Sequence, residues 1–221
     1  MPELIKTADG SSTLYVKELD ETYHSRHGAL QESMHVFIEN GLRYSLSHTN
    51  SDNISILEIG FGTGLNALLT LKEAKRNHQI KFTYHTIEAY PIDIKLAEEL
   101  NYNENKQDLI LFHNCAWNSA NHISDNFVFC KHHLPFQNFN TVEKFDVIYY
   151  DAFGPRAQAE MWTNETLLKA TSYLKNNGIL VTYCAKGEVK RIFKKAGFVV
   201  QTLKGPPGKR EMIRVLNNLM I

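Results

Sequence analysis

Ile54-Ser55-Ile56-Leu57-Glu58-Ile59 runs directly into Gly60-Phe61-Gly62-Thr63-Gly64-Leu65-Asn66. The first six residues form an apolar strand candidate, and the segment from Gly64 to Lys75 carries helical periodicity. A strand that ends in alternating glycines and reopens as a helix is a tight turn whose backbone can take positive φ and approach a ligand closely. The free amides of the helix start favour polar ligand groups. The spacing is GxGxG, not the GxGxxG of a dinucleotide site, where pyrophosphate rests on the helix N-terminus. A tight strand-to-helix turn needs glycine in any case, so the neighbours must decide its chemistry.

Working outward, short apolar strands alternate with amphipathic helices. Ile54–Ile59, Phe82–Glu88, Phe145–Tyr150 and Ile179–Cys184 read as strands; Gly64–Lys75, Ile92–Leu100, Asn164–Leu174 and Gly187–Ala196 read as helices. This alternation predicts an α/β fold with a parallel, Rossmann-like sheet covered by helices on both faces. Two last strands, Val199–Leu203 and Met212–Leu216, flank the rigid loop Gly205-Pro206-Pro207-Gly208. Upstream, residues 3–8 and 13–18 pair as a hairpin across Asp9-Gly10-Ser11-Ser12, and Ala29–Leu46 reads as a helix. The division expected is a hairpin-and-helix extension, residues 1–50, packed on a main domain, residues 51–221. The stretch 113–140 is polar, and only a short strand near Asn126–Cys130 is legible in it.

Composition bounds the function. The 221 residues suffice for one substantial domain, and 43% hydrophobic with 22% charged residues is ordinary for a globular chain. Formal net charge is zero, so a nucleic-acid partner must be recognised by local patches. The N-terminus lacks a signal-peptide pattern, and no apolar run approaches the roughly 20 residues of a membrane helix. Cys115, Cys130 and Cys184 are odd in number and widely spaced, which suits reduced thiols and a cytoplasmic location. Ten histidines occur, but none has metal-ligand spacing, so no metal is expected.

Two carboxylates give the glycine turn its chemistry. The second strand ends in Glu88, about two dozen residues on, where an acidic side chain can accept both hydroxyls of a ribose; a solvated strand end is the plainer alternative. Glu58 sits directly before the glycines. A carboxylate there repels pyrophosphate but suits the ammonium and sulfonium of S-adenosylmethionine. That charge pattern favours S-adenosylmethionine over NAD.

Phe145-Asp146-Val147-Ile148-Tyr149-Tyr150-Asp151-Ala152-Phe153-Gly154-Pro155 is a strand running into an aspartate and then a breaker pair. Ligands of open α/β sheets bind beyond the carboxyl ends of the strands, which puts Asp151 beside the glycine turn. There it can orient an incoming amine and stabilise developing positive charge. The alternative is a helix cap, disfavoured because the next helix starts near Thr163.

At this point the residues resemble a family. Asp151-Ala152-Phe153-Gly154-Pro155 with Glu160-Met161-Trp162-Thr163 resembles the D-x-F-x-P…P-[DE]-M-W-T signature of the MnmC methyltransferase domain. Tyr23-His24-Ser25, Gly28, Glu32-Ser33 and Val36-Phe37-Ile38 resemble its entrance segment. Tyr183-Cys184-Ala185-Lys186-Gly187 and Gly205-Pro206-Pro207-Gly208-Lys209-Arg210-Glu211-Met212 resemble its last two blocks. The resemblance spans roughly residues 14 to 216. It implies a class I S-adenosylmethionine-dependent methyltransferase that methylates the aminomethyl group of 5-aminomethyl-(2-thio)uridine at the tRNA wobble position. It further implies cofactor contacts at Glu58, Gly60, Gly62, Gly64, Asn66 and Glu88. Asp151 and Phe153 would hold the aminomethyl group, and Tyr23, Ser25 and Glu32 would line the pocket. Two departures stand out. Phe129-Cys130-Lys131-His132 replaces the family's Gly-Asp, leaving the adenine contact unassigned, and no second glycine fingerprint marks a flavin oxidase. Methyl transfer alone is therefore expected of this chain.

A wobble uridine must be splayed from its stack and held by aromatic rings. Phe153, Trp162 and Tyr23 are candidates, with core packing an equal alternative for Trp162. From Lys186 to Arg214 nine basic residues stand against Glu188 and Glu211, a phosphate-binding face for the anticodon loop with Lys209 and Arg210 at its centre. The proton of the amine goes to solvent or to Asp151. The rival readings are a methyltransferase for a small amine or protein, an aminopropyltransferase, and a non-catalytic RNA-binding module.

Overall fold

A computed structural model of the chain describes residues 2–102, 104 and 106–217. Met1 and residues 218–221, where the expected main domain ends, lie outside the described residues. The N-terminal segment forms a small antiparallel sheet of β1 (Glu3–Lys6), β2 (Ser12–Val16) and β3 (Glu21–Thr22). The third strand was not expected from its sequence, because two residues are too few to show a period. Next, α1 (Ala29–Ser33) continues through a π-helical stretch, Met34–Arg43, into α2 (Tyr44–Ser47). The helix expected over Ala29–Leu46 is thus one rod wound wide at its centre.

The chain then alternates as expected. β4 (Asn53–Ile59), α3 (Leu65–Arg76) and β5 (Lys81–Glu88) are followed by the helices α4 (Ile94–Glu99) and α5 (Lys106–Asn114). After β6 (Ala120–Ser124), β7 (Phe127–His133) and β8 (Phe145–Tyr150) come α6 (Asn164–Ser172) and β9 (Leu174–Thr182). α7 (Gly187–Lys195), β10 (Val199–Lys204) and β11 (Glu211–Leu216) close the fold. The large sheet has the order β10-β11-β9-β8-β4-β5-β7-β6. Its five central strands are parallel, and β6, β11 and β10 each run antiparallel to a neighbour.

Strand parity divides the core. Ile54 and Ile56 of β4, Phe82 and Tyr84 of β5 and Val147 and Tyr149 of β8 pack with α3 and the N-terminal helix residues Val36, Phe37, Ile38 and Leu42. Leu57, Ile59, Ile148 and Tyr150 face the opposite side with Leu167, Val189 and Phe193. The N-terminal helix therefore shares one core with the main sheet.

Two expectations need correction. Residues 113–140 hold the end of α5 and the strand pair β6–β7, not one short strand. Edge strand β6 (Ala-Asn-His-Ile-Ser) faces water along much of its length, which removes the apolar signal. Within β7, Phe127, Phe129 and Lys131 alternate inward; Lys131 is buried because its Nζ donates to the His113 carbonyl at 2.7 Å and lies 4.2 Å from the Trp117 ring centre. β9 begins at Leu174, not Ile179, because its polar start, Lys-Asn-Asn-Gly, includes Asn177 at φ 64 beside an irregularity in the pairing with β8.

Among the described residues, no helix is long and apolar enough to cross a membrane, and no group of three His, Cys, Asp or Glu side chains could hold a metal. The three cysteines are free thiols.

A buried histidine, His24, and a half-buried one, His113, pin the glycine turn from either side. His24 Nε2 lies 2.8 Å from the Thr63 hydroxyl, and His113 Nε2 donates to the Thr63 carbonyl at 3.1 Å. Burial pushes both down from 6.5 to about 4. Their neutral forms stabilise the fold fully above the unfolded value of 6.5, and this contribution is lost as pH falls toward 4. The melting temperature should drop across that window, and more shallowly in His24→Gln/His113→Asn. Equal slopes in thermal unfolding would refute this origin.

Candidate active site

The turn after β4 is anchored before any side chain is considered. The amides of Gly60 and Phe61 donate to the Ile87 carbonyl at 3.0 and 3.2 Å, and the Asp151 amide donates to the Ile59 carbonyl at 2.9 Å. The carboxyl ends of β4, β5 and β8 are thus tied together. Gly60 has φ +98, and a Cβ built on it would lie 2.5 Å from the Asp151 carbonyl oxygen. Gly62, at φ +53, leaves the room that the Tyr23 ring fills, since its Cβ would lie 2.9 Å from that ring. Glu88 Oε2 accepts from the Gly62 amide at 2.8 Å, and Oε1 accepts from the Tyr90 amide at 2.8 Å. Its carboxylate is held beside the turn with further lone pairs to offer.

Asp151 follows β8 at the mouth of the crevice. Asn66 Nδ2, from the first turn of α3, donates to its Oδ2 at 2.8 Å. Burial and then the negative charge of Glu32 raise the Asp151 carboxyl to about 7, while Asn66 and Lys209 pull it down. A carboxyl poised near neutrality is suited to exchange a proton with a bound group.

The wall opposite the turn comes from both chain ends. The Tyr23 ring meets Phe153 edge-on at 5.0 Å between centres. The Ser25 amide donates to Glu32 Oε2 at 2.7 Å, and Glu32 Oε1 pairs with Lys209. Lys209 Nζ lies 3.6 Å from the centre of the Tyr183 ring, whose hydroxyl donates to the Ala152 carbonyl at 2.8 Å.

These groups enclose one cavity of about 870 Å³. Of the sequence-predicted residues, Tyr23, Ser25, Glu32, Gly60, Gly62, Glu88, Asp151, Phe153 and Lys209 line it. Five others are placed differently. Glu58 is fully buried behind the turn, because its parity with Ile54 and Ile56 points it at α3. Asn66 is buried against Asp151, and Gly64 packs toward Phe61, His113 and Leu109. Trp162 is buried beneath the site: its Nε1 donates to the Phe153 carbonyl at 2.7 Å and its ring packs edge-on to Tyr150. Arg210 is exposed outside the cavity. The basic face also contracts, since Lys190 pairs with Glu211 at 2.8 Å, Lys209 with Glu32, and Arg214 is buried against Gln201 and Tyr44. Lys186, Arg191, Lys194, Lys195, Lys204 and Arg210 remain exposed.

Some lining residues were not singled out by sequence. Tyr183 follows β9 at its carboxyl end, where the strand-end rule applied to Asp151 would also have pointed. Leu134, Pro135, Phe136 and Gln137 follow β7 and line the same cavity; their position depended on a strand whose boundaries were not legible.

Residues 121–218 match the family model of an S-adenosyl-L-methionine-dependent methyltransferase. The chain is 30% identical, over 95% of its length, to the tRNA 5-methylaminomethyl-2-thiouridine biosynthesis bifunctional protein MnmC of Pseudoalteromonas atlantica. It is 28% identical, over 90% of its length, to the protein of the same name from Legionella pneumophila. The chain spans about a third of these curated relatives, 33% and 34%. Over nearly its whole length the chain is thus similar to the MnmC proteins. The crystal structure of MNMC2 from Aquifex aeolicus has the same fold, with a TM-score of 0.83 at 24% identity over 98% of this chain and 70% of that one.

The residues present fit S-adenosylmethionine. The side-chain-free backbone at Gly60 and Gly62 borders a cavity large enough for a nucleoside-sized ligand, and Glu88 stands beside it. Gly60→Ala should lower stability by about 1–3 kcal/mol and weaken S-adenosylmethionine binding tenfold or more, because the added methyl must push Asp151 away. Calorimetric titration and thermal unfolding check this; wild-type affinity in the variant would refute the close-approach role of Gly60.

Proposed function

We propose that this chain transfers a methyl group from S-adenosylmethionine to the aminomethyl nitrogen of 5-aminomethyl-(2-thio)uridine at the wobble position of tRNA. The observation that carries this reading is Asp151: a carboxyl held near neutrality, standing between the glycine turn and an aromatic entrance. The name borne by the similar proteins, biosynthesis of 5-methylaminomethyl-2-thiouridine, supports the same substrate.

Gly60 and Gly62 would present backbone to the cofactor, Glu88 would accept from its ribose hydroxyls, and Leu134, Phe136 and Gln137, which line the same cavity, would hold its adenine, the role left open in the sequence. Bound there, S-adenosylmethionine supplies an electrophilic methyl group. Tyr23 and Phe153 hold the splayed uracil, which sets the amine beside Asp151. Asp151 takes the proton that the amine must lose before its lone pair can attack. Tyr183, Ser25 and the Glu32–Lys209 pair shape the far wall. Trp162 acts from beneath, fixing the Phe153 carbonyl. Residues 1–50 serve as an extension that completes the pocket of the 51–221 unit, and the protein works where tRNA is found, in the cytoplasm. Lys204 and Arg210 with the exposed cations of α7 take the phosphates of the anticodon arm; Lys209 belongs to the pocket.

With tRNA bearing 5-aminomethyluridine and labelled cofactor, transfer should rise with pH as Asp151 ionises, with its midpoint near 7. Asp151→Asn should lower kcat by about 10²–10⁴ and abolish that limb. No transfer by the wild type refutes the substrate, and an unchanged profile in Asp151→Asn refutes the base. Lys204→Glu/Arg210→Glu should weaken tRNA binding about tenfold in a filter assay while cofactor affinity holds. Undiminished tRNA affinity would remove this face from the interface.

A further inference from the structure

Behind Asp151, on the side away from the cavity, three buried oxygens have no hydrogen-bond partner: Glu58 Oε1, Asn66 Oδ1 and the Tyr84 hydroxyl. Strand parity brings them together. Glu58 of β4 and Tyr84 and Thr86 of β5 point to the α3 face, and Asn66 stands in the first turn of that helix. The Thr86 hydroxyl donates to Glu58 Oε2 at 2.7 Å, and Asn66 and Tyr84 are the other uncharged polar side chains that act on Glu58.

Counting protons decides how these oxygens can be paired. With Glu58 ionised, the three oxygens share one hydrogen, that of Tyr84, and the Asn66 carbonyl competes for it with a buried charge. A buried acceptor left without a donor costs about 1–3 kcal/mol. With Glu58 protonated there are two hydrogens for three oxygens. Tyr84 then donates to Glu58 and Glu58 donates to Asn66 Oδ1, so that each oxygen gives or receives a bond. Charge points the same way. The groups facing Glu58 are Thr86 and Tyr84 from β5, Tyr149 from β8 and Asp151 just after it, and Asn66 from α3, none of them a cation. Asp151, by contrast, borders the cavity and feels Lys209. Two carboxylates bridged by one amide do not both ionise readily, and the one without a cation keeps the proton.

We infer that Glu58 is a neutral carboxylic acid that donates its proton to Asn66 Oδ1, and so fixes the Asn66 amide to donate to Asp151 and hold that carboxylate ionised and aimed at the cavity. Were Asn66 turned over, its oxygen would face the Asp151 oxygens and repel them. Glu58 is then a positioning residue acting through Asn66, and not the partner of the cofactor ammonium that its place before the glycines suggested. Burial and the Asp151 charge raise the Glu58 carboxyl to about 8, in agreement.

The kinetic part of the test rests on Asp151 as the base of the proposed reaction; the titration part does not. Carboxyl-carbon NMR of wild-type protein labelled at glutamate Cδ should show one glutamate titrating near 8, and Glu58→Gln should delete that signal. If every glutamate carbon titrates in the ordinary range, the inference is overturned, with no dependence on how a variant folds. Glu58→Leu should lower kcat about tenfold or more and shift the pH–rate midpoint, with the cofactor KM changed less than about threefold. Glu58→Gln, which keeps a donor toward Asn66, should rescue both. A tenfold loss of S-adenosylmethionine affinity in Glu58→Gln would instead restore the charged, ammonium-binding role. Failure of the wild type to methylate the aminomethyluridine tRNA would refute the proposed substrate and leave the titration result standing.

Discussion

The Asp151 backbone passes so close to the first turn glycine that a methyl group on residue 60 would lie 2.5 Å from the Asp151 carbonyl oxygen. Neither strand end can move without the other, because the Asp151 amide is also bonded to Ile59 and the amides after Ile59 are bonded to Ile87. Three parallel strands thus end in one hydrogen-bonded knot. The geometry of the site depends on that knot: it sets the Asp151 carboxyl at a fixed distance from the glycine turn, both of them lining the cavity. Preorganisation of this kind is carried by backbone, so it costs no side-chain ordering when ligands bind.

The far wall is built differently. It rests on side chains reaching between the two ends of the chain. Glu32 pairs with Lys209, His35 Nε2 donates to the Lys204 carbonyl at 2.8 Å, and an Arg214 guanidinium nitrogen donates to the Asn40 carbonyl at 3.1 Å. His24, bonded to Thr63, joins the same N-terminal segment to the glycine turn. The extension is therefore a structural part of the pocket, with its helix buried in the core shared with the sheet. Its π-helical stretch brings Gly41 against Tyr149 and Val181, where a Cβ would meet neighbours at 3.0–3.2 Å.

Much of this was legible in the residue order. The strands Phe145–Tyr150 and Ile54–Ile59 and the helix starts at Asn164 and Gly187 agree with the structure to within a residue. Periods of two and 3.6 with glycine and proline punctuation suffice where one face of an element is buried and the other wet. They fail at the sheet edge, where the short β6 is half-exposed and sets only Ile123 against the core, and at Leu174, where a left-handed asparagine lets a polar run continue as a strand. In the site, Asp151, Glu88 and the glycines could be found because the ends of parallel strands are where such sheets bind ligands. Tyr183 obeys the same rule, whereas Leu134–Gln137 depended on locating β7.

The order of residues by itself determined the layers, the ligand edge of the sheet and the chemical types gathered there, since these follow from local periodicity and chain direction. Tertiary structure alone decided which of those side chains meet the cavity. Glu58 and Glu88 look alike in sequence, each closing a strand beside the turn. α3 packs over one and leaves the other open, so one is sealed among Thr86, Tyr84 and Asn66 while the other borders the cavity. Likewise Lys209 and Arg210 are adjacent, yet the buried Glu32 draws only the first inward. Burial and pairing set the charge and reach of an ionisable group, and both come from residues far away along the chain.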